Sequence, residues 1–195
     1  MSVPFPSGPY AIVNNENGNI NAVSPGPIIP VVAEPEVAIF VISDYKPLAG
    51  EDLGFDVHHL VNITKGGQPA NLKLAFITGN DVTPSDNGTV AIFDSAVPNV
   101  WCIHPSEKYP GKYLIYFSRY GTINHGPCHW HLESSKPGTP VIVNADKDHP
   151  INKVLRAHIS AGRGASRLAD LTQKLDELEE HHHHPDCYWY LRQVN

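Results

Sequence analysis

Twelve histidines stand in a chain of 195 residues, and their grouping is where chemistry is first to be sought. Cys128-His129-Trp130-His131 sets two imidazoles one residue apart. On a strand, His129 and His131 share a face with Trp130 opposite, a spacing that can present two nitrogens to one metal ion. The ordinary alternative is a pair of solvent-facing strand histidines, and on that reading no metal and no cofactor is expected. His181-His182-His183-His184 would take up nickel or zinc adventitiously, but as a solvated helix end it needs no ligand. His58-His59 is more simply half in and half out of a strand, since a catalytic dyad would need a partner that the sequence does not supply. Cys102, Cys128 and Cys187 make an odd count without CxxC spacing, which reads as reduced, half-buried thiols.

No nucleophile elbow, phosphate loop, HExxH or dinucleotide fingerprint occurs, and no catalysis is expected. The paired histidines also miss the spacing of a cupin metal site: Gly121 stands eight residues before His129, and Glu133 two after His131. The formal charge is −6, with 14 Lys plus Arg against 20 Asp plus Glu, which excludes the basic footprint of a nucleic-acid binder. Met1-Ser2-Val3-Pro4-Phe5-Pro6 has neither a positive flank nor an apolar run. No apolar stretch reaches membrane-spanning length, so a cytoplasmic, membrane-free protein is expected.

The elements that must carry these residues follow a threefold pattern. Gly8–Val13, His59–Ile63 and Gly111–Tyr116 read as equivalent entering strands, and their isoleucines Ile12, Ile63 and Ile115 are 51 and 52 residues apart. Ala38–Ile42, Val100–Ile103 and Tyr188–Leu191 read as closing strands, each with an aromatic, Phe40, Trp101 or Trp189, destined for the core. Between them fit Asn19–Val23 with Ile28–Val32, Leu72–Ile77 with Thr89–Asp94, and Cys128–Glu133 with Thr139–Asn144. Asn17-Gly18, Pro25-Gly26-Pro27, Gly66-Gly67, Asp86-Asn87-Gly88 and Pro137-Gly138 supply the turns. The 18 prolines and 15 glycines are thus largely turn punctuation. Four strands in each of three units predict an all-β chain, a β-trefoil with pseudo-threefold symmetry, as one domain over 1–195. Residues 146–184 break the pattern: Ile151, Val154, Leu155 and Ile159, then Leu168, Leu171, Leu175 and Leu178, fall at helical spacing. They predict a helical insertion within the third unit, before the last strand, as an elaboration on a complete barrel.

With these segments in place the chain resembles the mycocypins, the fungal clitocypin and macrocypin family of β-trefoil cysteine protease inhibitors. Gly8-Pro9-Tyr10-Ala11-Ile12 resembles that family's opening strand, and Pro30-Val31-Val32-Ala33-Glu34-Pro35 its proline-flanked third strand and following loop. Val100-Trp101-Cys102-Ile103 with Gly111-Lys112-Tyr113-Leu114-Ile115 is similar to its junction between units. The helical insertion and the histidine run depart from the family pattern.

The resemblance implies inhibition by occlusion, with rigid loops at one end of the barrel wedged into the cleft of a papain-like cysteine protease. The first loop would be Asn14–Asn19, with Asn17, Gly18 and Asn19 at its tip; the second would be Ala33–Val37, with Glu34, Pro35 and Glu36. Legumain-type proteases, which cut after asparagine, are a second partner class that the family implies. They would meet the loop Thr64–Asn71, through Gly66, Gly67 and its asparagine, Asn71. A monomer is expected.

Two other functions stay open. A carbohydrate-binding β-trefoil lectin of the ricin type would carry Gln-x-Trp at the closing strands, where Ala38, Asn99 and Cys187 stand instead. A trypsin-like serine protease inhibitor would present a basic residue such as Lys65 or Arg119, whereas Ser24-Pro25-Gly26-Pro27 holds none. Each loop could also be an ordinary polar turn.

Overall fold

The computed structural model describes residues 5–47, 59–73, 88–96, 98–117, 128–144, 146, 148–160, 167–182 and 184–195. His58, Arg119 and His183, and the expected strand residues 74–77, lie outside them.

Alternating apolar residues and glycine turns give the first strands: β1 Gly8–Asn14, β2 Gly18–Asn21, β3 Ile29–Pro30, β4 Val32–Ala33 and β5 Ile39–Asp44. Four follow as β6 His59–Lys65, β7 Gln68–Lys73, β8 Gly88–Ile92 and β9 Trp101–Pro105. The last are β10 Lys112–Phe117, β11 Cys128–His131, β12 Ile142–Asn144 and β13 Tyr188–Gln193. Two helices, α1 Pro150–Ser160 and α2 Arg167–His182, stand between β12 and β13. No helix among the described residues is long and apolar enough to cross a membrane.

Among the described residues the strand pairs are antiparallel. Nine strands close a barrel in the order β1, β5, β6, β7, β8, β12, β11, β10, β13 and back to β1. β9 lies across this ring, pairing with β6 and β10, and so closes a shorter circuit of β1, β5, β6, β9, β10 and β13. β2 pairs with β1 and β4, and β3 pairs with β8. Closure leaves few exposed edges.

This arrangement corrects the expected fold, a β-trefoil of three equivalent four-stranded units. Among the described residues there are thirteen strands rather than twelve, unequally divided, and the closed barrel runs through nine of them. The physical reason for the extra strand is local. Pro30 has no N–H to continue a ladder, so the stretch expected as Ile28–Val32 splits into β3, bound to β8, and β4, bound to β2. Val31 between them is fully buried, donating to Val90 O at 2.9 Å and accepting from Val141 N at 2.8 Å.

The barrel interior holds Ile12, Phe40, Ile63, Trp101, Ile115, Trp130 and Trp189, all buried. Trp130 meets both other tryptophans edge-on, with centroids 5.1 and 5.8 Å apart. The indole N–H of Trp101 donates to Ala70 O at 2.9 Å, which satisfies its one polar atom.

A second core lies on the outer face. Leu60, Val100, Cys102, Leu114 and Tyr116 pack against Ile151 and Leu155 of α1 and Leu171 and Leu175 of α2. β9 and β10 are therefore covered on both sides, which is why Val100–Ile103 and Tyr113–Phe117 are unbroken apolar runs. Polar anchors seat α2. Asp176 accepts from Ser106 Oγ at 2.5 Å and from the backbone N–H groups of Glu107 and Lys108 at 3.1 and 3.0 Å. Lys112 meets Glu179 at 2.6 Å in a pair with side chains only 6% and 1% exposed.

Candidate functional site

The turn joining β1 to β2 is organised by Asn14, itself 2% exposed. Its Oδ1 accepts from Glu16 N at 3.2 Å and Asn17 N at 2.9 Å, an Asx turn, while Nδ2 donates to Asp186 O at 2.9 Å. Asn17 Nδ2 donates to Leu132 O at 2.6 Å. Gly18 closes the turn at φ +79°, a conformation for which glycine is suited. Asn19 then reaches the second expected loop: its Nδ2 donates to Pro35 O at 3.1 Å and its carbonyl accepts from Glu34 N at 3.1 Å.

Asn17, Gly18 and Asn19 are thus joined with Glu34 and Pro35 into one edge. Its far side is tied to the strand β4, where Ala33 donates to Thr139 O at 2.7 Å and accepts from Gly138 N at 3.0 Å. Glu16, Pro35, Glu36 and Val37 stand exposed on it. The edge carries Glu16, Glu34 and Glu36 and no basic residue, so its charge is negative.

The third expected loop is differently placed. Gly66 and Gly67, at φ +59° and +81°, form a two-residue hairpin, and β7 begins at Gln68. The expected eight-residue loop therefore shrinks to two exposed glycines. Asn71 falls inside β7, 2% exposed, donating to Phe93 O at 3.0 Å and accepting from Asn99 N at 2.8 Å. Both halves of its amide are bound within the fold, so it is not a residue presented to a protease. Lys65 turns its amine back to Ala22 O at 3.3 Å.

A second constellation gathers around β11. Trp130 enters the barrel core, which sends His129 and His131 to the opposite face. That face is covered by α1 and by the 3₁₀ turn Pro185–Cys187, so His129 is fully buried and His131 only 15% exposed, unlike the solvent-facing pair expected. Cys187 Sγ lies 3.2 Å from His129 Nε2 and 3.6 Å from His131 Nδ1. Asp186 places Oδ2 3.1 Å from His131 Nδ1 and Oδ1 3.6 Å from Cys187 Sγ. The His149 ring lies tilted against that of His129 with centroids 4.5 Å apart, and the His184 ring likewise against that of His149 at 5.2 Å.

Burial, then the neighbouring His149, drives the His129 imidazole down to about 3, so it is neutral at ordinary pH. Burial also lowers His149, with His184 adding to the effect. The Cys187 thiol is pushed far up by burial and then by the Asp186 carboxylate. Sequence reasoning singled out only His129 and His131 here. Cys187, Asp186 and His149 come from positions remote from β11 in the sequence, with no local signature that joins them to it.

No protein-family model matches the chain, and no curated protein matches it. Among solved structures it is similar to the botulinum neurotoxin serotype D binding domain, with a TM-score of 0.46 and 8% identity. The match covers 97% of this chain and 42% of that one, so the chain spans less than half the length of its structural neighbour. At that level two chains need share neither fold nor ligand.

Proposed function

We propose that the chain is a protease inhibitor that blocks the cleft of a papain-like cysteine protease with the edge built from Asn17–Asn19 and Glu34–Glu36. The observation that supports this reading is the hydrogen-bonded seam between Asn19 and the Glu34-Pro35 backbone. A blocking surface has to be rigid before it binds, because each side chain ordered on association costs about 0.5–1.5 kcal/mol. Here Asn14 and Asn17 tie the first loop to Asp186 and Leu132, and Pro35 stiffens the second. Binding therefore orders little. The loops act by steric exclusion and need no catalysis, and the inhibitor would work as a cytoplasmic monomer.

Titration of papain with the intact chain tests the proposal. Stoichiometric loss of activity is expected, weakened about fivefold by Asn19→Ala, since one internal hydrogen bond is worth about 1 kcal/mol. Unchanged papain activity at micromolar protein overturns it. Inhibition of trypsin that is lost in Lys65→Ala, or binding on a glycan array without papain inhibition, would replace it with the other classes. Legumain is not part of the proposal, because Asn71 is committed to Phe93 and Asn99.

A further inference from the structure

We infer that His129, His131 and Cys187, with the Asp186 carboxylate beside them, form a binding site for a zinc-class divalent ion. His129, His131 and Cys187 offer ligand atoms that all lie within 4.8 Å of one another. In a tetrahedral zinc site with the usual bond lengths, a nitrogen and a sulfur ligand sit about 3.5 Å apart. The observed separations from Cys187 Sγ are 3.2 Å to His129 Nε2 and 3.6 Å to His131 Nδ1. The atoms stand at ligand spacing before any ion arrives.

The tautomer of His129 is fixed by its surroundings. Asn152, fully buried, donates both amide hydrogens to backbone carbonyls, Asn144 O at 2.9 Å and Asp146 O at 2.8 Å. Its Oδ1 must then face His129 Nδ1, 2.9 Å away, and can only accept. Nδ1 therefore carries the proton, and the bare lone pair of Nε2 points at Cys187. This is the outer-shell arrangement that holds metal-ligating histidines. Asn152 is thus a positioning residue.

Charge is balanced as well. Binding releases the Cys187 thiol proton, while His131 keeps its one proton on Nε2 and turns a bare Nδ1 to the ion, so that one thiolate and the neighbouring carboxylate stand against a 2+ charge. Asp186 stands beside these three, with Oδ2 3.1 Å from His131 Nδ1 and Oδ1 3.6 Å from Cys187 Sγ, and the fourth position of the ion is left to water. A set of two neutral nitrogens and a thiolate selects zinc over magnesium or calcium. A further buried nitrogen, Nε2 of His184, has no hydrogen-bond partner and belongs to the same histidine group. The ion would pin β11 to the start of β13.

Cobalt(II) added to chelator-treated full-length protein tests the site. One equivalent should bind with a thiolate-to-cobalt charge-transfer band and the strong visible bands of tetrahedral cobalt, and zinc should displace it. Cys187→Ser should abolish the charge-transfer band, and Asn152→Ala should weaken binding about 10- to 100-fold. His181→Ala with His182→Ala, on the exposed histidine run, should leave both unchanged. Zinc should raise the thermal midpoint of the parent and not of Cys187→Ser. If Cys187→Ser fails to fold by circular dichroism, His131→Ala at its part-exposed position repeats the test, with at least tenfold weaker binding expected. Weak octahedral bands that persist in Cys187→Ser, or binding lost in the His181/His182 variant, would overturn the site.

Discussion

Replacing Glu179 by leucine should strand a cation inside the protein. Lys112 Nζ is 2.6 Å from Glu179 Oε1, 4.8 Å from the Tyr109 ring centroid and 5.0 Å from that of Tyr188. Lys112 and Glu179 are only 5% and 2% exposed as residues, so water cannot replace the lost partner. Removing one member of a buried pair costs about 3–5 kcal/mol, a large part of the 5–15 kcal/mol that holds a domain together. Glu179 also accepts from His184 N at 2.8 Å, which adds about 1 kcal/mol to its loss. Lys112→Met leaves the carboxylate behind and should cost a similar amount. The double variant Lys112→Met/Glu179→Leu removes both charges and keeps the volume. It should fall within about 2 kcal/mol of the parent or exceed it. The coupling energy is then at least about 4 kcal/mol. Urea unfolding followed by tryptophan fluorescence is the assay, because Trp101, Trp130 and Trp189 are all fully buried. Single variants costing under about 1 kcal/mol, or a double variant equal to the sum of the singles, would refute the reasoning, since the pair would then be screened by water and α2 not seated as described.

Other outcomes follow from the same contacts. Excising residues 146–184 should abolish cooperative unfolding and raise dye binding, because Leu60, Cys102, Leu114 and Tyr116 lose their cover. A shortened chain that still unfolds sharply would show the helices to be dispensable. All three cysteines are buried, so native protein should react slowly with a disulfide reagent and release three thiols in guanidinium. Burial pushes the Cys128 thiol up to about 11 from 9.0, so the folded state holds its proton the more tightly. That stabilisation is full below pH 9 and is lost as pH rises through 11, at a cost of about 2–3 kcal/mol that Cys128→Ala should remove, measured as thermal midpoint against pH. Gly67→Ala, at φ +81° with open space around it, should destabilise by about 1 kcal/mol from backbone strain alone, read from the urea midpoint.

Much of the fold is legible locally. Entering and closing strands show themselves because a half-buried strand alternates and its turns demand glycine or asparagine, as at Asn17-Gly18 and Gly66-Gly67. The helices between β12 and β13 are legible because leucines recur at 3.6-residue spacing. The loop edge was half legible. Gly18 and Pro35 can be read as turn residues, but the bond from Asn19 to Pro35 joins positions 16 residues apart and has no local signature.

By itself the sequence determined a β-rich chain with short turns, a helical stretch and little chemistry in any single motif. Only the tertiary structure decided that the barrel closes through nine strands, because closure depends on pairings between distant strands such as β8 with β12 and β13 with β1. It also decided that Asn71 is buried, since a two-residue turn advanced β7 over it. The histidine–cysteine cluster belongs to the same category. His129 and Cys187 are 58 residues apart, and they meet because Trp130 must enter the core while α1 and Pro185–Cys187 cover the opposite face. Residue types set which contacts a chain can make, and closure in three dimensions selects the ones it does.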